Sequence, residues 1–138
     1  MSYIILKGVT YVGIPFIKAA VIYFFFGVTF GLYIGIANQF QFSSAHAHIN
    51  LLGWVSLALI GAIYHLFPEA GNNRLAKTNF WIMMFGVPLL TFVMVLFGLG
   101  KHEIAGPISG IGSILIIIGV IIFMLNIWLN IKTKVRLS

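Results

Sequence analysis

Long apolar runs separated by short polar segments account for most of the chain. Each of the four runs is roughly 20 residues long and nearly free of charge, which is the length that an α-helix needs to cross a bilayer core of roughly 30 Å. The pattern predicts an all-α integral membrane protein, with residues 1–138 forming a single domain of four transmembrane helices. The predicted helices cover residues 15–38, 44–67, 79–100 and 105–131.

The composition supports this class and excludes several others. Hydrophobic residues make up 61% of the chain, charged residues only 7%, and the mean hydropathy is +1.10. A soluble domain carries about a quarter charged residues, so the solvent for most of this chain must be lipid. The chain has no Cys. Disulfides, cysteine zinc sites, iron–sulfur clusters and covalently attached c-type haem are therefore excluded.

The basic residues predict the orientation of the helices. The formal net charge is +6, but the lysines and arginines are scattered between apolar runs, so we expect no nucleic-acid partner. Seven of the eight lie on one side of a four-span protein, and the exception is Lys101. By the positive-inside rule, both termini are then cytoplasmic, in a membrane that we take to be the bacterial inner membrane. The seven are Lys7, Lys18, Arg74, Lys77, Lys132, Lys134 and Arg136.

Two histidines at the start of the second helix are the strongest candidates for chemistry. His46 and His48 are separated by one residue, so on a regular helix their side chains point about 200° apart. One ion held by both would be awkward, whereas two separate sites, or one site shared between neighbouring subunits, suit this geometry. The alternative is that both side chains are interfacial and bond to residues 38–45 or to lipid headgroups. His65, roughly 25 Å further along the helix, is interpreted as interfacial.

The segment AHAHINLLGWVSLALIGAIYHLFP, residues 45–68, resembles the His-x-His helix of the haem–copper oxidase subunit I superfamily. In that helix one His holds the active-site haem and the next holds the low-spin haem on the opposite face. Gly61, His65 and Pro68 also fall at matching distances. The segment is similar, too, to small oxidase-subunit-like membrane proteins that carry the pattern HAH-x-N-L-L-G-W. The specific likeness covers about 25 residues.

The resemblance implies an architecture and a cofactor. The superfamily's twelve-helix core has approximate threefold symmetry and consists of three four-helix arcs with ligands on the second helix of each. This chain corresponds to one such arc, so a homotrimer would rebuild the ring. His46 of one subunit and His48 of the next would then flank one gap. Two neutral imidazoles there would make a six-coordinate, non-covalent haem b, iron protoporphyrin IX.

Further cofactor-binding residues follow from the same resemblance. Lys101 and His102 occupy the loop where the superfamily has a basic pair, and are expected to meet the haem propionates, although both could be ordinary interfacial residues. Asn50 and Trp54 are expected to line the haem pocket, with packing as the other interpretation of Trp54.

Departures from the superfamily favour electron transfer over oxygen chemistry. The chain has no separate trio of copper-binding histidines, no His-Pro-Glu-x-x-Tyr stretch and no arginine pair. We expect a redox role with a quinol or a cytochrome as possible partner, and leave the question of an enzyme open. Two alternatives remain. One is an oxygen or nitric oxide reductase-like enzyme that uses haem, with copper less expected. The other is a non-enzymatic accessory protein that binds a metal or none.

Overall fold

The computed structural model describes residues 12–131, and within them the chain is helical with no β-strand. Four helical spans are long and apolar enough to cross a membrane. This confirms the predicted all-α membrane fold. The spans are Gly13–Ala37, Phe40–Leu66, Arg74–Gly98 and His102–Asn130.

The first span is helix α1 (Gly13–Ala37), the third is α5 (Arg74–Gly98) and the fourth is α6 (His102–Asn130). The second span has several parts. A 3₁₀ turn leads into α2 (Ser43–His48), then comes a π-helical segment, and α3 completes the span. A one-turn helix, α4, follows it. The remaining bounds are Phe40–Phe42 for the 3₁₀ turn, Ile49–Ser56 for the π-helical segment, Leu57–Leu66 for α3 and Pro68–Gly71 for α4.

The spans pack in chain order. Helix α1 lies along the π-helical segment and α3, α2 packs on α5, and α5 lies along α6. Close approach depends on small residues. A side chain at Gly61 would meet the backbone oxygen of Gly13 at 2.8 Å, and one at Gly112 would meet the backbone of Leu90 at 3.3 Å. The glycines therefore set the spacing between neighbouring helices.

All four spans begin earlier than the hydropathy pattern predicts. The third, at Arg74 rather than residue 79, and the fourth, at His102 rather than residue 105, gain charged or polar residues at their starts. The Asn73 side chain accepts a hydrogen bond from the Ala76 amide at 2.9 Å and so caps α5. At the other end of α5, Gly100 has a φ of 73°, which suits glycine and allows a tight turn. Polar residues flanking the apolar runs therefore belong to the helices.

A buried polar cluster joins three spans at the end of the bundle that lies away from α2. The Asn126 amide nitrogen donates to the Tyr64 hydroxyl at 3.1 Å and to the Ala70 carbonyl at 2.8 Å. The Tyr64 hydroxyl donates to Asn79 Oδ1 at 3.3 Å, and Asn79 donates to the Gly119 carbonyl at 2.7 Å. Because Tyr64, Asn79 and Asn126 are almost completely buried, these hydrogen bonds fix the second, third and fourth spans against one another.

Candidate functional site

The two candidate histidines lie on α2, where the second span begins. Both are half-buried, and both are in regular α-helix just before the π-helical segment. Their side chains leave opposite sides of the helix, as the separation of two residues requires. A π-helical segment is rare and is often found at functional sites. Because they point apart, the two histidines have separate surroundings.

His48 is held by the backbone of its own helix. Its Nδ1 atom lies 2.7 Å from the carbonyl oxygen of Ser44, one turn earlier. A carbonyl can only accept a hydrogen bond, so Nδ1 must carry the proton and donate it. In the neutral ring Nε2 then keeps its lone pair. A histidine that ligates a metal commonly has this arrangement, with one ring nitrogen donating to a carbonyl and the other free for the ion.

His46 faces α1. A Cβ atom added to Gly31 would lie 2.6 Å from its Cε1 atom, so the ring rests on the glycine backbone. The Asn50 amide nitrogen is 3.3 Å from His46 Nδ1 and 2.9 Å from the His46 carbonyl oxygen. Asn50 in turn lies against Gly27, whose added Cβ would be 2.5 Å from Asn50 Oδ1. Two glycines of α1 thus make room for two polar side chains of the second span.

The other residues predicted at the site have contacts of their own, away from the two imidazole rings. Trp54 is partly buried and packs against Phe24 of α1, with the ring centroids 4.7 Å apart and the rings tilted by 31°. Lys101 and His102 are exposed at the turn into α6, at the same end of the bundle as α2. The His102 ring lies 5.6 Å from that of Phe97. The exposed His65 is near the opposite end of the second span. Only Asn50 is brought into direct contact with a candidate ligand.

The chemistry of the donor set fits a haem iron. A non-covalent haem would be held by one or two imidazoles and would not need a cluster of protein ligands. His48 offers Nε2 with Nδ1 already anchored, and His46 offers a second imidazole on the opposite side of α2. Residues 12–131 contain no group of three or more His, Cys, Asp or Glu that could hold a metal ion. When bound, haem would supply one-electron redox chemistry.

An apolar groove of about 420 Å³ lies between α1 and α5, beside the candidate site. Ile49, between His48 and Asn50 in the sequence, forms part of its wall, and the buried Thr91 hydroxyl has no hydrogen-bond partner among residues 12–131. Its walls contain no imidazole, carboxylate or thiolate. The groove is lined by Tyr23, Phe26, Phe30, Ile49, Pro88, Thr91, Phe92 and Val95.

Sequence reasoning missed the partners of the two imidazoles. The carbonyl of Ser44 and the amide of Asn50 each lie four residues from their histidine, a spacing that places side chains on one face of a helix. That spacing could have identified both contacts. Gly27 and Gly31 are recognisable as small residues in α1, but their sequence does not indicate that they adjoin Asn50 and His46. The buried Asn79 and Asn126 were also missed, although an asparagine inside an apolar span is a signal in itself.

Comparison with known proteins relates the chain to oxidase subunits. Residues 36–104 match the family described as cytochrome c and quinol oxidase polypeptide I. The chain is also 29% identical over 85 residues to the Cbb3-type cytochrome c oxidase subunit CcoN1 of Stutzerimonas stutzeri. That match covers 57% of this chain but 18% of the relative, so the chain spans less than a fifth of its length. No solved structure matches the chain. Since the family match covers half of the 138 residues and includes the whole second span, the chain belongs to the cytochrome c and quinol oxidase polypeptide I family.

Proposed function

We propose that this protein binds a non-covalent b-type haem between His46 of one subunit and His48 of the next, in a homotrimer, and that it transfers electrons. The observation that carries the proposal is the His48 ring, whose Nδ1 donates to the Ser44 carbonyl and leaves Nε2 free to ligate iron. Family membership adds support, because the matched region contains both histidines. We place the protein in the bacterial cytoplasmic membrane.

The direction of the imidazoles supports a cyclic oligomer, and the number of three subunits rests on the resemblance to the threefold core of the oxidase superfamily. His46 and His48 leave opposite sides of α2, so a single copy cannot easily bring both to one iron. In a cyclic oligomer each interface joins two different faces of the same chain. A site that uses one imidazole from each face is therefore repeated at every interface. Lys101 and His102, at the same end of the bundle, are the proposed partners of the propionates.

The first test is the spectrum of the detergent-purified protein loaded with haem. Two axial imidazoles predict a low-spin oxidised iron and sharp bands in the reduced optical spectrum. The variant His48→Ala should lose haem, while His65→Ala, at the other end of the span, should retain it. A purified protein that takes up no haem would refute the proposal. It would favour an accessory or metal-binding role.

Sharing between subunits is tested by mixing variants. His46→Ala and His48→Ala are co-expressed with different affinity tags, and mixed oligomers are isolated by purification on both tags. A trimer of two variants has one interface at which an intact His46 meets an intact His48, so it should regain about a third of the wild-type low-spin haem. Homo-oligomers of either variant should lack it. If the mixed oligomers contain no more low-spin haem than these controls, sharing is wrong.

A second function would be enzymatic, with iron ligated by His48 alone and an open position for oxygen or nitric oxide. One observation favours it. The Nδ1 atom of His46 faces the amide of Asn50, and a ring so held is not ready to ligate. A high-spin resting iron in the wild-type protein would support this function over electron transfer.

A further inference from the structure

A single atom of Asn50, its amide nitrogen Nδ2, contacts two atoms of His46. This nitrogen lies 2.9 Å from the carbonyl oxygen of His46 and 3.3 Å from Nδ1 of the same residue. The amide group carries two N–H bonds, so it can donate to both acceptors at once. Turning the amide over would place Oδ1 against the carbonyl oxygen, where neither atom can donate. The backbone carbonyl therefore decides which end of the amide faces the imidazole.

The packing around Asn50 leaves its amide little freedom. An added Cβ at Gly27 would lie 2.5 Å from Asn50 Oδ1 and 2.8 Å from Nδ2, so the amide rests on the α1 backbone. The His46 ring is seated in the same way on Gly31. Both partners are thus confined between two helices. Their contact is a property of the fold and does not depend on a free surface rotamer.

An amide nitrogen can only donate, so the His46 nitrogen that faces it must accept. A neutral imidazole has one proton, and with Nδ1 as acceptor the proton lies on Nε2. His48 shows the opposite arrangement, since its Nδ1 faces the Ser44 carbonyl. Two histidines with a single residue between them are thereby held in different tautomers. His48 has a free Nε2 lone pair, and His46 does not.

We propose that Asn50 is a positioning residue that keeps the neutral His46 ring protonated on Nε2, which makes His48 the firm ligand and His46 the exchangeable one. The consequence for iron rests on the proposed haem function. His48 ligates through Nε2 as it stands. His46 ligates through Nε2 only after its proton moves to Nδ1 and the contact with Asn50 breaks. The bond from His46 to iron is therefore weaker by the free energy of moving the proton and breaking the contact with Asn50.

The tautomers can be measured without haem. In haem-free protein labelled with ¹⁵N-histidine, the ¹⁵N chemical shifts distinguish a protonated from an unprotonated ring nitrogen at a pH where the rings are neutral. Spectra of His46→Gln and His48→Gln assign the signals. We expect the proton on Nε2 for His46 and on Nδ1 for His48. The same tautomer in both rings would overturn the proposal, whether or not the protein binds haem.

Two variants test the role of Asn50. In Asn50→Asp the side chain must turn away from the His46 carbonyl, and a carboxylate oxygen can then accept a hydrogen bond from His46 Nδ1. In the neutral ring the proton should therefore move from Nε2 to Nδ1. Asn50→Leu keeps the approximate volume and removes both contacts, so the two tautomers should mix. The control Thr29→Val removes a hydroxyl that bonds only within α1, to the Phe25 carbonyl at 2.8 Å, and should leave the His46 signals unchanged. Unchanged His46 shifts in both Asn50 variants would refute the role.

Haem ligation gives a second readout. Carbon monoxide must displace an axial histidine from six-coordinate iron, and in this protein it should displace His46. A carboxylate at position 50 should make that ligand firmer and weaken carbon monoxide binding by roughly tenfold or more, the usual scale for partners of a metal-ligating histidine. Equal carbon monoxide affinities in wild type and Asn50→Asp would contradict the inference. Absence of haem in the wild type would instead contradict the proposed function, and the tautomer measurement would still stand.

Discussion

The imidazole of His46 lies on the backbone of Gly31, at a distance where an added methyl group would come within 2.6 Å of Cε1. Real carbon atoms do not approach so closely, so Gly31→Ala must move the ring. Because the ring is the end of a rotatable side chain, the fold should survive, and the free energy of unfolding should fall by no more than about 3 kcal/mol. The proposed axial ligation by His46 should then be lost, which would show as a shift from low-spin to high-spin haem iron.

A matched control is available one turn further along α1. Apart from the backbone of its own helical turn, no atom of residues 12–131 lies within 4 Å of the Cβ position of Gly35, so Gly35→Ala should leave the spectrum unchanged. Alanine should even favour the helix slightly. Electron paramagnetic resonance of the oxidised proteins separates the two variants. An equal effect of both substitutions would mean that the position of the His46 ring does not depend on Gly31.

The four spans could be predicted from the sequence, because the lipid alone requires about 20 consecutive apolar residues in each span, whatever the contacts between helices. The π-helical segment Ile49–Ser56 could not be predicted. Its apolar residues suit a regular α-helix equally well. The segment packs closely on α1, so closely that a Cβ on Gly53 would collide with the ring of Tyr23. Within the segment, the Ser56 hydroxyl bonds the Leu51 carbonyl five residues back, at 2.8 Å.

The candidate site was predictable only in part. The pattern His46-x-His48 indicates two imidazoles that point apart, because helical geometry alone requires it. Which nitrogen of each ring is protonated depends on the carbonyl of Ser44 and the amide of Asn50, and on the glycines that hold that amide in place. Such details follow from packing between helices. A periodic pattern along one helix does not contain them.

The buried hydroxyl of Tyr64 predicts a measurable loss of stability in Tyr64→Phe. The substitution removes the donor to Asn79 and one acceptor for Asn126, but keeps the ring that packs on Phe16 and Phe123. Hydrogen bonds between membrane helices contribute about 0.6 kcal/mol on average and about 1.7 at most. We expect a loss of about 1 kcal/mol for Tyr64→Phe. We expect a larger loss for Asn126→Leu, which also leaves the Ala70 carbonyl without its amide donor.

Reversible unfolding by sodium dodecyl sulfate in mixed micelles measures both losses. Thr29→Val serves as the control, because its hydroxyl is exposed and bonds only within its own helix. If Tyr64→Phe and Thr29→Val unfold at the same detergent fraction, the polar cluster does not stabilise the bundle. A changed haem spectrum with unchanged stability would also be unexpected, since Tyr64 lies near the opposite end of the span from His46 and His48.

The turn after the second span is intolerant of a side chain at Gly71. A Cβ there would collide with the carbonyl oxygen of Tyr64, a backbone atom that cannot rotate away. Gly71→Ala should therefore destabilise the protein by more than about 2 kcal/mol, at the upper end of overpacking effects. Gly110→Ala is the control, because within the described part of the chain only the backbone of its own helical turn lies near its Cβ position. The same detergent titration should show normal unfolding for Gly110→Ala and a marked shift for Gly71→Ala. Equal midpoints would mean that the turn can relax.

The orientation of the bundle is a prediction of charge asymmetry alone. Lys7, Lys132, Lys134 and Arg136 lie outside the described residues, but they are close in sequence to the first and fourth spans, so their charges count in the positive-inside rule. A green fluorescent protein fused after residue 138 should fluoresce, because it folds in the cytoplasm. Alkaline phosphatase inserted after Lys101 should be active, since this enzyme needs an oxidising compartment for its disulfides. A fluorescent protein inserted at Lys101 that fluoresces, together with an active phosphatase at the C-terminus, would mean that the topology is the reverse of the one predicted. His46 and His48 would then lie at the cytoplasmic edge of the membrane, where a haem would meet cytoplasmic electron donors in place of external ones.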